Sequence, residues 1–375
     1  MNPGEKNGTA DVKISVIMEK VNLDWKNLSF SYLKTDYNIR SYYRDGAWST
    51  PEMTSDEMVS LHMAATALHY GQDAFEGLKA FRGMDGKIRI FRADENGKRL
   101  ASSADYLRMA VPPLDMFIDM VKKVVKANER FIPPYGTGAS LYIRPVLFGT
   151  GAQVGVQPAK EYMLIIFVTP VGPYYKEGFN PIKVIIDRDH DRAAPLGTGH
   201  IKAGGNYGAS LMSSEEAHAK GYPGVLYLDA KEKKYIDECG AANFFGIRDG
   251  RYITPKSHSV LPSITNMSLQ ALAADMGLKV ECRQIEEEEL STFSEAGACG
   301  TAAVISPIGS IYDPVTNHTY TYNNGEPGEW CKKLYHKLRA IQYGEEPDTH
   351  NWNIDGVILL DGSLQGVEEK LPFEK

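Results

Sequence analysis

A single lysine stands among four glycines in the run Gly199-His200-Ile201-Lys202-Ala203-Gly204-Gly205-Asn206-Tyr207-Gly208-Ala209-Ser210. The run follows a mostly apolar segment, 181–186, and precedes a helical pattern over 207–220. Glycine has no Cβ, so backbone and ligand can approach closely there and positive φ is permitted. A lysine fixed in such a place loses solvation, which lowers its pKa and makes the amine nucleophilic toward carbonyls. A surface lysine in a flexible loop would have the same local sequence and no chemistry. The rest of the chain must decide between the two.

Several chemistries lack their usual signals. The chain contains no GxxxxGK[ST], no HExxH and no GxSxG, and the glycines of 149–155 have the wrong spacing for a dinucleotide fingerprint. Cys239, Cys282, Cys299 and Cys331 show no CxxC spacing and no companion histidines, as expected of reduced thiols without a metal. A net charge of -7 offers no clustered basic surface for nucleic acid. Residues 1–10 are polar, and the apolar run 163–168 falls far short of the roughly 20 residues that span a bilayer. The expectation is a cytoplasmic protein that meets neither membrane nor nucleic acid.

The elements that must position Lys202 read as mixed α/β. With 375 residues, two domains are expected: 1–170, a linker at 171–181, 182–353, and a tail of unknown role at 354–375. The linker region 170–181 holds three prolines and two glycines. Strands are predicted at 28–33, 39–43, 141–148, 162–169, 182–186, 225–228 and 278–283. Hairpins turn at Gly83-Met84-Asp85-Gly86 and Asp249-Gly250, where Asp-Gly accepts the positive φ of a tight turn. Helices are predicted at 99–109, 114–128, 207–220, 262–276 and 328–343. Those at 114–128 and 328–343 follow from apolar residues at helical spacing, and that at 262–276 from Pro262 and Ser263 at its start and Gly277 beyond its end.

If Lys202 carries a pyridoxal cofactor as an imine, the physical requirements are specific. An acid must keep the pyridine nitrogen protonated, and a cation with helix N-terminal amides must hold the phosphate. The runs Phe75-Glu76-Gly77-Leu78-Lys79-Ala80-Phe81, Leu141-Tyr142-Ile143-Arg144-Pro145, Lys202-Ala203-Gly204-Gly205-Asn206-Tyr207 and Glu238-Cys239-Gly240-Ala241-Ala242-Asn243 supply such groups. Phe91-Arg92 with Arg99-Leu100, Leu261-Pro262-Ser263-Ile264-Thr265 and Gly300-Thr301-Ala302 complete the set. In order and spacing the chain resembles the branched-chain aminotransferases, from about Phe30 to Gly344. The resemblance implies a fold-type IV pyridoxal 5'-phosphate enzyme with two domains, the larger one C-terminal, and the cofactor at their interface.

By that resemblance Lys202 is the catalytic lysine that holds the cofactor and moves the proton. Glu238 faces the pyridine nitrogen; read from the residues alone, the adjacent Asp237 competes for that task. Arg99, Ile264, Thr265, Gly300 and Thr301 bind the phosphate end, and Tyr207 bonds the ring oxygen. Arg99 is read at a helix start, where a bound anion would offset the unfavourable dipole. Tyr142 and the amides of Thr301 and Ala302 meet the α-carboxylate. Arg144 meets the distal carboxylate of glutamate or 2-oxoglutarate, and Phe30, Tyr70 and Phe75 line an apolar pocket. Val154 and Val156 lie on a loop that in relatives reaches the neighbouring subunit, implying a homodimer.

The sequence departs from its relatives at Ala241, where some place threonine. Ala303 and Ser306 occupy the positions of a redox-active cysteine pair found in certain mammalian relatives, so no such regulation is expected. The expected activity is reversible transamination of leucine, isoleucine and valine with 2-oxoglutarate by a ping-pong route. The rivals are a D-amino-acid or amine transaminase of the same fold, an aminodeoxychorismate lyase, and a catalytically silent binding protein.

Overall fold

A computed structural model describes residues 21–172, 179–354, 357–358 and 364–365. The first half of the chain forms an antiparallel sheet from β1 (Asn38–Arg44), β2 (Ala47–Trp48), β3 (Glu52–Thr54), β4 (Asp73–Phe75), β5 (Leu78–Arg82), β6 (Ile88–Phe91), β7 (Ser140–Gly149) and β8 (Tyr162–Val171). Its order is β6-β5-β7-β8-β1-β2, with β3 on β1 and β4 on β7. Gly86, at φ 77°, closes the β5–β6 hairpin at the Asp-Gly turn read from sequence. A short helix, α1 (Thr66–Tyr70), precedes β4, and α2 (Ala93–Tyr106) and α3 (Leu114–Ala127) cover one face. In α3, Phe117, Met120, Val121, Val124 and Val125 fall on one stripe and are buried against the strands. Each side chain so buried contributes about 1.5–3 kcal/mol.

The second half contains β9 (Ile182–Asp187), α4 (Gly204–Gly208), α5 (Leu211–Ala219), β10 (Gly224–Leu228), β11 (Ile236–Cys239), β12 (Ala242–Arg248), β13 (Arg251–Pro255), α6 (Ile264–Asp275), β14 (Lys279–Arg283), β15 (Glu295–Gly300), β16 (Val304–Asp313), β17 (His318–Thr321) and α7 (Glu329–Tyr343). The strand order is β11-β10-β9-β16-β15-β12-β13-β14, with β17 on β16. Because β11 also pairs with β12, six of these strands close into a ring. Leu334, Leu338 and Ile341 of α7 join one core with Phe81 and Phe91 of the first sheet and Phe245 and Tyr252 of the second. After α7 the chain returns to the first sheet, where β18 (Asn353–Ile354) pairs with β6. Most of the segment read as a linker and most of the tail lie outside the described residues.

The structure corrects several local expectations. Residues 28–33 form no strand. The β8 edge beside them is taken by β1, and they are held through Thr169 Oγ1, which accepts from Leu33 N at 3.0 Å. The helix expected from residue 99 begins at Ala93, because Gly97 is a packing glycine: a Cβ there would lie 2.5 Å from Leu114 Cδ1. The single helix expected over 207–220 is two short helices, α4 and α5, broken at Ala209 and Ser210. Strands β15 and β16 went unread, since Gly297, Pro307 and Gly309 give them the composition of loops. Gly297 is needed where the Phe245 ring lies across β15, its Cβ position being 2.4 Å from Phe245 Cζ.

Candidate active site

The Lys202 loop is bound on both sides. Its carbonyl accepts from Phe75 N at 3.1 Å, and its amide donates to Ser103 Oγ at 3.0 Å. Gly204 N donates to Asp73 Oδ1 at 2.9 Å, and Gly199 lies so close to Ser259 that a Cβ would fall 2.2 Å from its carbonyl. The glycines thus permit close approach rather than flexibility. Lys202 Nζ bonds the Tyr207 hydroxyl at 2.6 Å and sits over the Phe75 ring, 4.7 Å from its centroid. Burial pushes the amine down to about 7, and the Arg99 and Arg144 cations add to the shift against Glu76 and Glu238. Burial also pushes the Tyr207 hydroxyl above its ordinary range.

This shift has a direct chemical readout. A neutral amine is nucleophilic, and exposed lysines titrate near 10.4. Brief treatment of the cofactor-free protein with an aldehyde and borohydride at about pH 7.5 is therefore expected to label Lys202 ahead of the surface lysines. Peptide mapping that finds Lys202 labelled no faster than those lysines, or only above about pH 9, would contradict the assigned environment.

Glu238 lies on β11 opposite Asn243 of β12. Side chains alternate along a strand, so Glu238 faces the cleft while Asp237 turns to the Ser257 and Ser259 hydroxyls, at 2.9 and 2.6 Å. Burial pushes the Glu238 carboxyl up to about 7, opposed by Arg192, whose Nε lies 2.7 Å from Glu238 Oε2, and by the Leu261 amide. Asn243 Nδ2 donates to Oε1 at 3.2 Å.

Arg99 is not at a helix start but in the second turn of α2. What stabilises it is Glu76, a carboxylate with no exposed surface, held by Arg99 Nε at 2.8 Å and Nη2 at 2.7 Å. Arg99 Nη1 reaches the Pro262 carbonyl at 2.8 Å, just before α6. Ser263 caps α6 by accepting from Asn266 N, and Ile264 and Thr265 occupy its first turn, where amides lack intrahelical acceptors.

Across the cleft, Arg144 Nη2 donates to the Tyr142 hydroxyl at 3.0 Å and its guanidinium lies 4.9 Å from the Phe75 centroid. Its Nε is buried without a hydrogen-bond partner. Gly77 admits the Tyr142 hydroxyl: a Cβ there would lie 2.0 Å from it. Phe30 meets the Tyr142 ring edge-on at 4.9 Å. These residues, with Ala241, Gly300, Thr301 and Ala302, share one cleft of ≈ 640 Å³ with Lys202 and Glu238.

Five expected site residues do not line this cleft, Ile264 and Thr265 being buried in the first turn of α6. Val154 and Val156 are 81 % and 84 % exposed, and Tyr70, 42 % exposed, donates its hydroxyl to the Val154 carbonyl outside the cleft. Two partners escaped the sequence reading, Glu76 and Arg192. For Glu76 the only local signal was an acid between an aromatic residue and a glycine in an apolar run; Arg192 carried none. Among the described residues, no group of three or more His, Cys, Asp or Glu is placed to hold a metal ion. Nor is any described helix long and apolar enough to cross a membrane.

A buried lysine of lowered pKa shares this cleft with a buried carboxylate and an arginine that reaches the start of α6, groups suited to amine and carbonyl chemistry. Comparison with known proteins agrees. The amino-transferase class IV family matches residues 73–311, and the chain belongs to it. The chain is 45 % identical over 337 residues to the branched-chain-amino-acid aminotransferase of Haemophilus influenzae, covering 88 % of this chain and 98 % of that one. The solved branched-chain amino acid aminotransferase of Escherichia coli superposes with a TM-score of 0.70 at 29 % identity, covering 85 % of this chain and 99 % of that one. The T.th. branched-chain amino acid aminotransferase solved with pyridoxamine 5'-phosphate gives 0.69 at 27 % identity, over 84 % and 97 %.

Proposed function

We propose that this chain catalyses reversible amino-group transfer between branched-chain L-amino acids (leucine, isoleucine and valine) and 2-oxoglutarate, with pyridoxal 5'-phosphate as cofactor. The observation that carries this reading is that the buried Lys202 amine and the Arg144 guanidinium line one cleft walled by aromatic rings. An apolar side chain finds the Phe30, Phe75 and Tyr142 rings there, and an acidic one finds the guanidinium. A guanidinium among aromatic rings has little water to solvate it, so a ligand carboxylate in the cleft is a favourable partner for Arg144.

The residues fit the cofactor. When bound, pyridoxal phosphate supplies an aldehyde carbon that takes amines and a protonated ring that accepts electrons. Lys202 is the residue that holds that carbon and, freed by substrate, carries the proton to and from the substrate Cα; an amine near 7 suits both tasks. Glu238 faces the ring nitrogen and shares a proton with it, while the Arg192 cation favours the carboxylate form against burial. Arg99, the Ile264 and Thr265 amides, Gly300 and the Thr301 hydroxyl hold the phosphate. Tyr207 donates to the ring oxygen. Tyr142 and the amides of Thr301 and Ala302 orient the α-carboxylate, so that the Cα proton faces the lysine.

We also propose that the functional unit is at least a homodimer. The exposed apolar side chains of Val154 and Val156, with Tyr70 fastened to the same loop, are suited to wall the substrate pocket of a second copy. The four free cysteines suit a reducing compartment, the cytoplasm.

The substrate assignment rests on Arg144, and its replacement separates the two half-reactions. Arg144→Ala is expected to slow the half-reaction with 2-oxoglutarate by about 100-fold, the equivalent of one buried charged hydrogen-bond pair. The half-reaction with leucine should fall far less. Equal losses in the two, followed by single-turnover absorbance, would remove the proposed role. Rates with D-alanine matching the best substrate, and none with L-leucine, would overturn the substrate class.

A further inference from the structure

The chemistry above gives no task to Lys79, a lysine of β5 that is only 6 % exposed. Burial, with the nearby Arg339 cation, pushes its amine down to about 7. A lysine is kept in such a place only where its polar head is matched. Its Nζ donates to the Ala302 carbonyl at 2.7 Å. Lys79 belongs to the first sheet, and Ala302 to the turn between β15 and β16 of the second, so this bond spans the two sheets. In the β5–β7 ladder Lys79 lies directly opposite Tyr142, and opposed residues project from the same face. Lys79 therefore reaches toward the turn from beside the tyrosine that shares the carboxylate with it.

The turn itself is strained. Val304, β-branched and buried, has φ 67°, and the Ile305 amide closes a tight turn onto the Ala303 carbonyl at 3.0 Å. A β-branched residue at positive φ is a genuine outlier and persists only where its surroundings fix it. The lysine supplies a hydrogen bond to the Ala302 carbonyl, one peptide away from the amides of Thr301 and Ala302, two residues that line the cleft.

We propose that Lys79 is a positioning residue: it pins the Thr301–Ala302 turn from the opposite sheet and thereby sets the grip of the Thr301 and Ala302 amides on the substrate α-carboxylate. The inference rests on the functional reading above, in which those amides bind that carboxylate.

The test uses the cofactor-loaded enzyme and two ligands of the same shape, 4-methylpentanoate and 4-methylpentanamide. In Lys79→Met the Kd for the carboxylate, measured by calorimetry, is expected to weaken about tenfold, the loss of one such bond. The Kd for the amide should change less than about twofold, and the KM for leucine should rise more than kcat falls. A Lys79→Met enzyme that binds both ligands as the wild type does, or loses both equally, overturns the inference while leaving the function standing. A wild-type protein that neither binds 4-methylpentanoate nor turns over leucine overturns both. Should Lys79→Met not fold, Lys79→Gln, too short to reach Ala302, is measured in the same way. Failure of both variants to fold also overturns the proposal, because a positioning residue leaves the sheets assembled.

Discussion

Lys202→Ala is expected to lower turnover of leucine with 2-oxoglutarate by about 10⁴-fold or more, since it removes both the nucleophile and the acid–base group. The other described buried lysine of low pKa, Lys79, is turned to the Ala302 carbonyl and offers no substitute. Tyr207 bonds the Lys202 amine, but burial raises its hydroxyl too far to serve as a base near neutral pH. The variant keeps the Arg99, Glu238 and helix-start contacts, so it should still take up pyridoxal phosphate without a covalent bond. Equilibrium dialysis checks the binding and single-turnover absorbance checks the chemistry. Residual activity within about 100-fold of wild type would place the reactive amine elsewhere.

The second large effect is on stability. Arg99→Met should destabilise the cofactor-free protein by about 3–5 kcal/mol, because it leaves a fully buried carboxylate without its cation. Glu76 has no exposed surface, and its remaining partners are the Asn96 side chain at 2.8 Å and its neighbouring amide, Gly77 N, at 3.3 Å. Neutral donors do not offset the desolvation of an anion. Urea unfolding measures the loss, and the Arg99→Met/Glu76→Gln double variant should recover most of it by removing the stranded charge. A single variant within about 1 kcal/mol of wild type, as at an exposed pair, would mean that the pair is not buried in solution.

Much of the chemistry was legible because it depends on local sequence. The lysine loop was marked by its glycines, the hairpins by Asp-Gly, α3 and α7 by their apolar period, and α6 by Pro262 and Ser263 at its start and Gly277 beyond its end. Long-range pairing was not legible. Nothing local says that Glu76 will meet Arg99, or Arg192 meet Glu238, since each pair is assembled from separate elements. Arg99 was misplaced within its helix because the polar stretch 94–98 contains a glycine, and glycine reads as a loop until the α3 side chains packed on it are seen. The small-residue strand β15 was hidden for the same reason, its glycine answering to the Phe245 ring rather than to a turn. Residues 28–33 err in the opposite direction: their β-forming composition has no free ladder to join.

The return of the chain to β6 through β18 changes the mechanics of the cleft. Because the halves are linked once between Val171 and Ile182 and again beyond α7, with Arg92 N donating to the Trp352 carbonyl at 2.7 Å beside that second crossing, rotation about a single pivot would strain the other link. Such a double tether favours a stiff cradle whose cleft-lining residues are held in place before any ligand arrives. Substrate traffic then falls to the rim, where movement of individual loops and side chains suffices.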